Sequence, residues 1–295
     1  MPSLAAQREI LAGWPALNFN CQRCQFNTMQ LGHVDAQITP TAQGVEIPHF
    51  SLQQGKNRLT GAAQWLITND QSRSALHLRL DAADMESGMK ALGYAPSLGG
   101  TKAHGEASLR WQGPLYRLDW PTLEGETRFE TAEGLLRNID SPSARVLSLF
   151  SLHSIVRRLN LDVRDLFEKG LFFRKLGFTG KISDGVWHNS DLLLQADAGD
   201  LRGAGQLSLP NGAIDYQMRF TPQFTNGLSL ATAFAVTPVT GVYVLAASRL
   251  LSPVIDVITE IRFQVSGTLD QPKINETGRI FSPFKAASSA AAATK

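Results

Sequence analysis

Cysteine is almost absent from this 295-residue chain, which carries only Cys21 and Cys24, in the stretch CQRC. That scarcity excludes a four-cysteine zinc site and a multi-bridge disulfide framework, and no nearby histidine completes a metal set around the pair. A thioredoxin-like redox site would need the motif at the mouth of a helix in a βαβ unit, whereas LNFNCQRCQFN reads as extended chain around a turn. Two alternatives stay open for the thiols: a disulfide across that turn in an oxidising compartment, or two free cysteines.

An excess of either charge is missing as well. Twenty-eight Lys and Arg against 26 Asp and Glu leave a net charge of +2, too balanced for a groove that must neutralise a run of phosphates, so no nucleic-acid partner is expected. The pair Arg157-Arg158 reads as a solvated helix face. Catalytic signatures are also missing: there is no HExxH, G-x-S-x-G, Walker loop or GxGxxG. SLGGTKAHG has the wrong spacing for a phosphate loop and reads as a hairpin. The histidines His33, His49, His77, His104, His153 and His188 are scattered without metal-ligand spacing, and helix capping accounts for Asp162 and Asp165. Neither an enzyme, a cofactor nor a metal is expected. The N-terminal MPSLAAQREILAGWP lacks the basic flank and apolar run of an export signal; if the protein works outside the cytoplasm, the expectation is that this chain is a piece of something longer.

What is present is alternation. In ALHLRL, Leu76, Leu78 and Leu80 fall on one face and His77 and Arg79 on the other. YRLDW sets Tyr116, Leu118 and Trp120 against Arg117 and Asp119. IDYQMRF sets Ile214, Tyr216, Met218 and Phe220 against Asp215, Gln217 and Arg219, and IRFQV repeats the pattern near the end. One-sided strands belong to antiparallel sheets, because buried parallel strands are apolar throughout. Turn clusters such as PTAQG, LQQGKN, LEGET and PNGA suit a meander of hairpins. A loose unit recurs in LTGAAQW, HGEASLRW and GKISDGVW, each joining a glycine to a large aromatic, and hints at a repeat-built sheet.

Two segments break the β pattern. SPSARVLSLFSLHSIVRRLN has Ser141 as an N-cap, Pro142 at the first helical position and apolar residues at helical spacing; a second short helix follows from Asp162 to a terminator at Gly170. The other segment is the run of 29 uncharged residues between Arg219 and Arg249. It is long enough to span a bilayer, yet it holds Pro222, Asn226, Pro238 and Gly241, and a span would put two strands of one sheet on opposite sides of the membrane. We read it as one or two apolar helices, broken near Pro238 and Pro253, that either contact lipid, cap the end of the sheet or form plain core. AASSAAAATK closes the chain as low-complexity sequence.

The order of RRLNLDVRDLFEKGLFF, KISDGVWH, ATAFAVTPVTGVYVLAASRLLSPV and VSGTLDQPKINE resembles the C-terminal region of members of the AsmA-like family of Gram-negative envelope proteins. The resemblance runs from about Trp14 to Glu276 and is most specific over Arg145–Asp184 and Ala231–Glu276. It implies a mainly β fold of the bridge-like lipid transfer type: an elongated, twisted antiparallel sheet curled into an apolar groove, with an inserted helical elbow and C-terminal apolar helices. The implied layout is β-groove repeats over 1–140, the helical insert over 141–170, a final groove segment over 171–275 with apolar helices at about 228–259, and a disordered tail over 276–295. By the same resemblance the chain would lie in the periplasm as part of an inner-membrane-anchored protein that moves phospholipid toward the outer membrane and supports its barrier. Its partners would be phospholipid acyl chains and the inner leaflet of the outer membrane or a protein there.

Groove-lining candidates are Leu76, Leu78, Leu80, Leu109, Trp111, Tyr116, Leu118, Ile214, Tyr216, Met218 and Phe220. Candidates for membrane contact or groove capping are Phe234, Val236, Val239, Val242, Tyr243, Leu245, Leu250 and Leu251. Periodicity alone fits equally a β-sandwich in which two sheets bury these same residues, and a sheet scaffold that binds protein rather than lipid.

Overall fold

The computed structural model describes residues 2–137, 171–197, 199–222 and 254–285, with side-chain packing described outside 254–259 and 282–285. The elements are α1 (Leu4–Ala12), β1 (Leu17–Phe26), β2 (Met29–Thr41), β3 (Gly44–Gln54), β4 (Asn57–Thr68), β5 (Gln71–Ala82), α2 (Met85–Ala91), β6 (Leu98–Gly99), β7 (Ala103–Gln112), a 3-10 turn at Trp120–Thr122, β8 (Glu124–Thr131), β9 (Gly134–Leu136), β10 (Leu171–Ser183), β11 (Val186–Ala196), β12 (Gly199–Ser208), β13 (Ile214–Pro222), β14 (Val254–Gly267) and β15 (Pro272–Lys285). They form one open, curled 15-stranded sheet, antiparallel at every pairing, in which strands follow one another in chain order. The short β6 and β9 leave the main path and pair with each other, β9 also joining β10. No second sheet faces the first among the described residues, so the sandwich arrangement is set aside.

Local chemistry explains the meander. Asn69 and Asp70 both take positive φ in the two-residue turn between β4 and β5, as do Asp184 and Gly185 between β10 and β11, the backbone that matches the right-handed twist of a hairpin. The curl is helped by bulges, which bend the strand that carries them. One sits between Ile47 and Phe50, where Pro48 cannot donate to the ladder. Others break the β10–β11 register between Gly177 and Lys181 and the β11–β12 register between Asn189 and Leu192. At the β10–β11 break side chains replace the missing ladder bonds: Asn189 donates to the Thr179 carbonyl at 2.6 Å, while Thr179 donates its backbone N–H and its hydroxyl to Asp191 at 2.8 and 2.7 Å.

Both helices are set by caps. The Ser3 hydroxyl accepts from the Ala6 N–H at the start of α1, and Asp84 accepts from Glu86 and Ser87 at the start of α2. Buried Asn57, at the first position of β4, accepts from the Asp84 N–H and donates to the Asp84 carbonyl, which ties α2 to the sheet.

Several expectations change. Tyr116–Asp119 is not strand: Pro114 and Pro121 bracket it, and it forms a turn leading into the 3-10 segment. Cys21 and Cys24 are bridged, and the bridge spans a bulge inside β1 rather than a turn between strands. The predicted tail from 276 is strand as far as Lys285, because Arg279, Ile280 and Phe281 find ladder partners in Ile261, Glu260 and Ile258 of β14. The predicted apolar helices end too late, since 254–259 already belong to β14. The helical insert at 141–170 and the apolar stretch at 223–253 lie outside the described residues, as does the tail beyond 285.

Candidate functional site

The registers place apolar side chains on one face across the whole sheet. Starting at β1, Phe19 lies opposite Ala36, Ala36 opposite Phe50, and Phe50 opposite Gly61; Gly61 then faces Leu78. The line continues from Leu78 to Ala107 and Thr127, then to Gly180 on β10. Beyond the bulges, Leu194 pairs with Leu201, Leu201 with Phe220, and Phe220 with Ile261. Because strand side chains alternate with period two, one such line fixes the facing of every residue around it.

This face changes character along the sheet. In the first strands Leu52, Leu59, Leu76, Leu78 and Leu80 are half-buried while Val45 and Trp65 on the same face are fully buried, and Leu17 and Phe19 on the edge strand β1 are exposed. In the last strands Leu201, Tyr216, Met218, Phe220, Phe263 and Val265 are all buried, at 0 to 3% exposure. The two edges differ too. β1 ends the sheet with Leu17, Phe19 and Phe26 in water, whereas β15 turns the ion pair Glu276–Arg279 toward the side of Phe263 and Ile261, and inward-pointing charge is a known protection of sheet edges.

Where the half-open and closed stretches meet, four rings run across the strands. Phe129 stacks on Phe178 at 5.5 Å, Phe178 meets Trp187 edge-on at 5.5 Å, and Trp187 stacks on Tyr216 at 6.4 Å. Their polar atoms are satisfied inside the face: the Trp187 indole N–H donates to Thr127 Oγ1 at 2.9 Å, and the Tyr216 hydroxyl donates to Asn189 Oδ1 at 2.8 Å. Burial, with the Asp191 carboxylate adding to it, pushes the Tyr216 phenol above its ordinary pKa, so it stays neutral. Glycines let the rings lie down: Phe50 covers Gly61, Trp187 covers Gly180, and Tyr216 covers Gly203 and Gly205.

The predicted lining and capping residues divide three ways. Leu76, Leu78, Leu80, Leu109, Trp111, Ile214, Tyr216, Met218 and Phe220 share the apolar face. Tyr116 and Leu118 reach it from the turn instead of from a strand: Tyr116 is exposed but sets its ring edge-on to Trp65 at 5.5 Å, and Leu118 packs with Trp111, Leu123 and Ile182. Phe234, Val236, Val239, Val242, Tyr243, Leu245, Leu250 and Leu251 lie outside the described residues. Sequence reasoning missed Phe129, Phe178, Trp187, Leu192, Leu194 and Leu201, although the alternation in LLLQADAGDLR was there to be read.

The opposite face is charged and wet. Arg79 pairs with Asp81 and Glu106, His104 with Asp81, and Arg110 with Glu124, all across exposed positions whose individual worth is small. The hydrogen bond from His104, followed by Arg79, holds the Asp81 carboxyl below its usual range. At one end of the sheet Glu86 of α2 accepts from Arg137 at 2.9 Å and from Lys90 at 2.7 Å, which lowers its pKa to about 2. Depressions of about 680 and 710 Å³ open on this polar side, lined by mixed charges such as Glu106, Arg128 and Lys181, or Asp191, Arg202 and Arg219. Among the described residues there is no cluster of three or more metal-ligating side chains, and no helix is long and apolar enough to cross a membrane.

The described residues thus form an open, curled antiparallel sheet with one largely apolar face and one charged face. The chain matches the YhdP protein family over residues 2–274 and belongs to that family. It is similar to the intermembrane phospholipid transporter YhdP of Escherichia coli (strain K12), with 27% identity over 279 residues, covering 94% of this chain and 22% of that protein. The chain thus spans about a fifth of its relative's length. No solved structure matches it.

Proposed function

We propose that this chain is a section of a phospholipid conduit, in which acyl chains lie along the apolar face while head groups stay at its open rim in water. The observation that carries the reading is that residues from Phe19 on β1 to Ile261 on β14 share one largely apolar face, in register from Phe19 to Gly180 and again, past the bulges, from Leu194 to Ile261. The physics favours such a surface. At about 0.8 kcal/mol per methylene, exposing a sixteen-carbon chain to water costs on the order of 10 kcal/mol, and a continuous apolar lane removes most of that barrier. No bond of the cargo is made or broken in this reading.

The finer reading is that the conduit bridges the periplasm from an inner-membrane anchor and supports the outer-membrane barrier. Exposed apolar residues at the β1 edge suit a junction with further groove, and the charge-protected β15 edge suits the end nearer the outer membrane. The apolar stretch around Val242 and Leu245 then caps that end or enters the inner leaflet of the outer membrane; Asp at both positions is expected to weaken binding to phospholipid vesicles, and undiminished binding speaks against this part. A second reading, a sheet scaffold that captures a protein strand, is favoured by the same exposed β1 edge.

Mass spectrometry of the purified chain separates the two. Phospholipid that copurifies, and is lost by roughly tenfold in Leu78→Asp or Ala107→Asp while the fold is kept, supports the conduit, since a charge on the lane must be desolvated by each passing acyl chain. Lipid-free protein with a stoichiometric protein partner supports the scaffold.

A further inference from the structure

Trp187 is the side chain that joins the two apolar clusters of the face. It packs against the large one, built around Phe173, Leu194, Leu201 and Phe263, and against the small one of Trp111, Leu123 and Ile182. It also sits where the face passes from half-open to closed. Its seat is Gly180 on the neighbouring strand β10: the atoms nearest a methyl built on that residue are the indole Nε1 and two of its ring carbons. Thr127, the register partner of Gly180 on β8, accepts the indole N–H. Two strands therefore cooperate to hold one ring flat against the floor.

One of the glycine and aromatic units of the sequence acquires a physical meaning here. In GKISDGVW the glycine and the tryptophan come from the two arms of a hairpin, closed by Asp184-Gly185, that brings them into contact. A large apolar ring normally stands up from a sheet; over a glycine it can lie down. The height of the floor at this point is thereby set by whether position 180 has a side chain.

We infer that Trp187 is the sill of the lane: lying on Gly180 it leaves an acyl chain room to pass between the two stretches, and raised from that seat it obstructs the passage. Gly180 and Thr127 are positioning residues that act through it. This inference rests on the conduit reading above.

The test is uptake of phospholipid by the whole chain from phosphatidylcholine vesicles with dibrominated acyl chains, read by mass spectrometry of the re-isolated protein, with circular dichroism and thermal melting as controls of the fold. Gly180→Ala is expected to lower uptake by about tenfold, and Gly180→Ala with Trp187→Leu to return it to within about twofold of the Trp187→Leu protein. Thr127→Val keeps the shape of the floor but removes the acceptor, and is expected to lower uptake by about threefold, which keeps the test valid should Gly180→Ala not fold. Quenching of Trp187 fluorescence by the bromines, measured as the difference between wild type and Trp187→Phe, is expected in the wild type. Wild-type uptake matched by folded Gly180→Ala or by Thr127→Val overturns the role of Trp187 alone, as does a double variant no better than folded Gly180→Ala. A wild-type chain that takes up no phospholipid overturns the conduit and the sill together.

Discussion

The Tyr216 hydroxyl on β13 reaches over β12 to donate to Asn189 Oδ1 on β11 at 2.8 Å, inside the most apolar part of the sheet. The intervening strand presents Gly203 and Gly205, and that is why the ring can cross it. Asn189 in turn closes the bulge through Thr179 and Asp191, so one buried polar bridge ties the aromatic row to the bend of the sheet.

Tyr216→Phe leaves Asn189 Oδ1 without this donor in a dry setting, and is expected to cost about 1–2 kcal/mol. Asn189→Ala also removes the bond to the Thr179 carbonyl and is expected to cost about 2–3 kcal/mol, with the double variant costing less than the sum. Urea unfolding of the four proteins completes the cycle; an additive result would separate the bridge from the bulge.

Alkaline titration offers a second check. The Tyr216 pKa is raised in the folded chain by burial and by Asp191. Its neutral state therefore contributes stability that is fully present below the ordinary tyrosine pKa of 10.0 and is lost as pH rises through the higher folded value. The tyrosinate absorbance of Tyr216, obtained by difference from Tyr216→Phe, is expected to appear only as the sheet opens.

Glu86 gives the opposite sign. Its carboxylate is held down to about 2 by Arg137 and Lys90, from the ordinary 4.5. The contact between α2 and the strand end at Arg137 is thus at full strength above pH 4.5 and is lost as pH falls toward 2. Protection from hydrogen exchange across Met85–Ala91, relative to the intrinsic amide rate at each pH, is expected to fall over that window in the wild type and to be already low, and flat with pH, in Glu86→Gln.

The Cys21–Cys24 bridge closes a loop of sequence separation 3 within an edge strand. Short loops stabilise least, so reduction or Cys21→Ser with Cys24→Ser is expected to cost no more than about 2 kcal/mol. Faster exchange should be confined to β1 and its partner residues Met29–Val34; loosening that spreads to β4 or beyond would show that the bridge holds more than its own strand.

Much of the face could be read without coordinates. In ALHLRL and IDYQMRF the period-two alternation is a property of neighbouring residues, so it names a shared side wherever the strand lies. YRLDW failed because five alternating residues say nothing of the prolines at 114 and 121, which remove the donors a central strand needs. The row through Phe129, Phe178 and Trp187 escaped notice because its members are contributed by separate strands and become neighbours only through pairing.

The amino-acid sequence by itself determined that this chain is built of one-sided antiparallel strands joined by tight turns, because alternation, Asn-Asp and Asp-Gly turns and strand prolines act within a few bonds of one another. Only the tertiary structure decided that the strands form one open sheet instead of two facing ones, that its apolar side is largely buried over β12–β14 but only in part in the first strands, and that Trp187 lies on Gly180 with its N–H on Thr127, 60 residues away. Those outcomes depend on register between distant segments and on bulges that bend the sheet, and no local pattern encodes either.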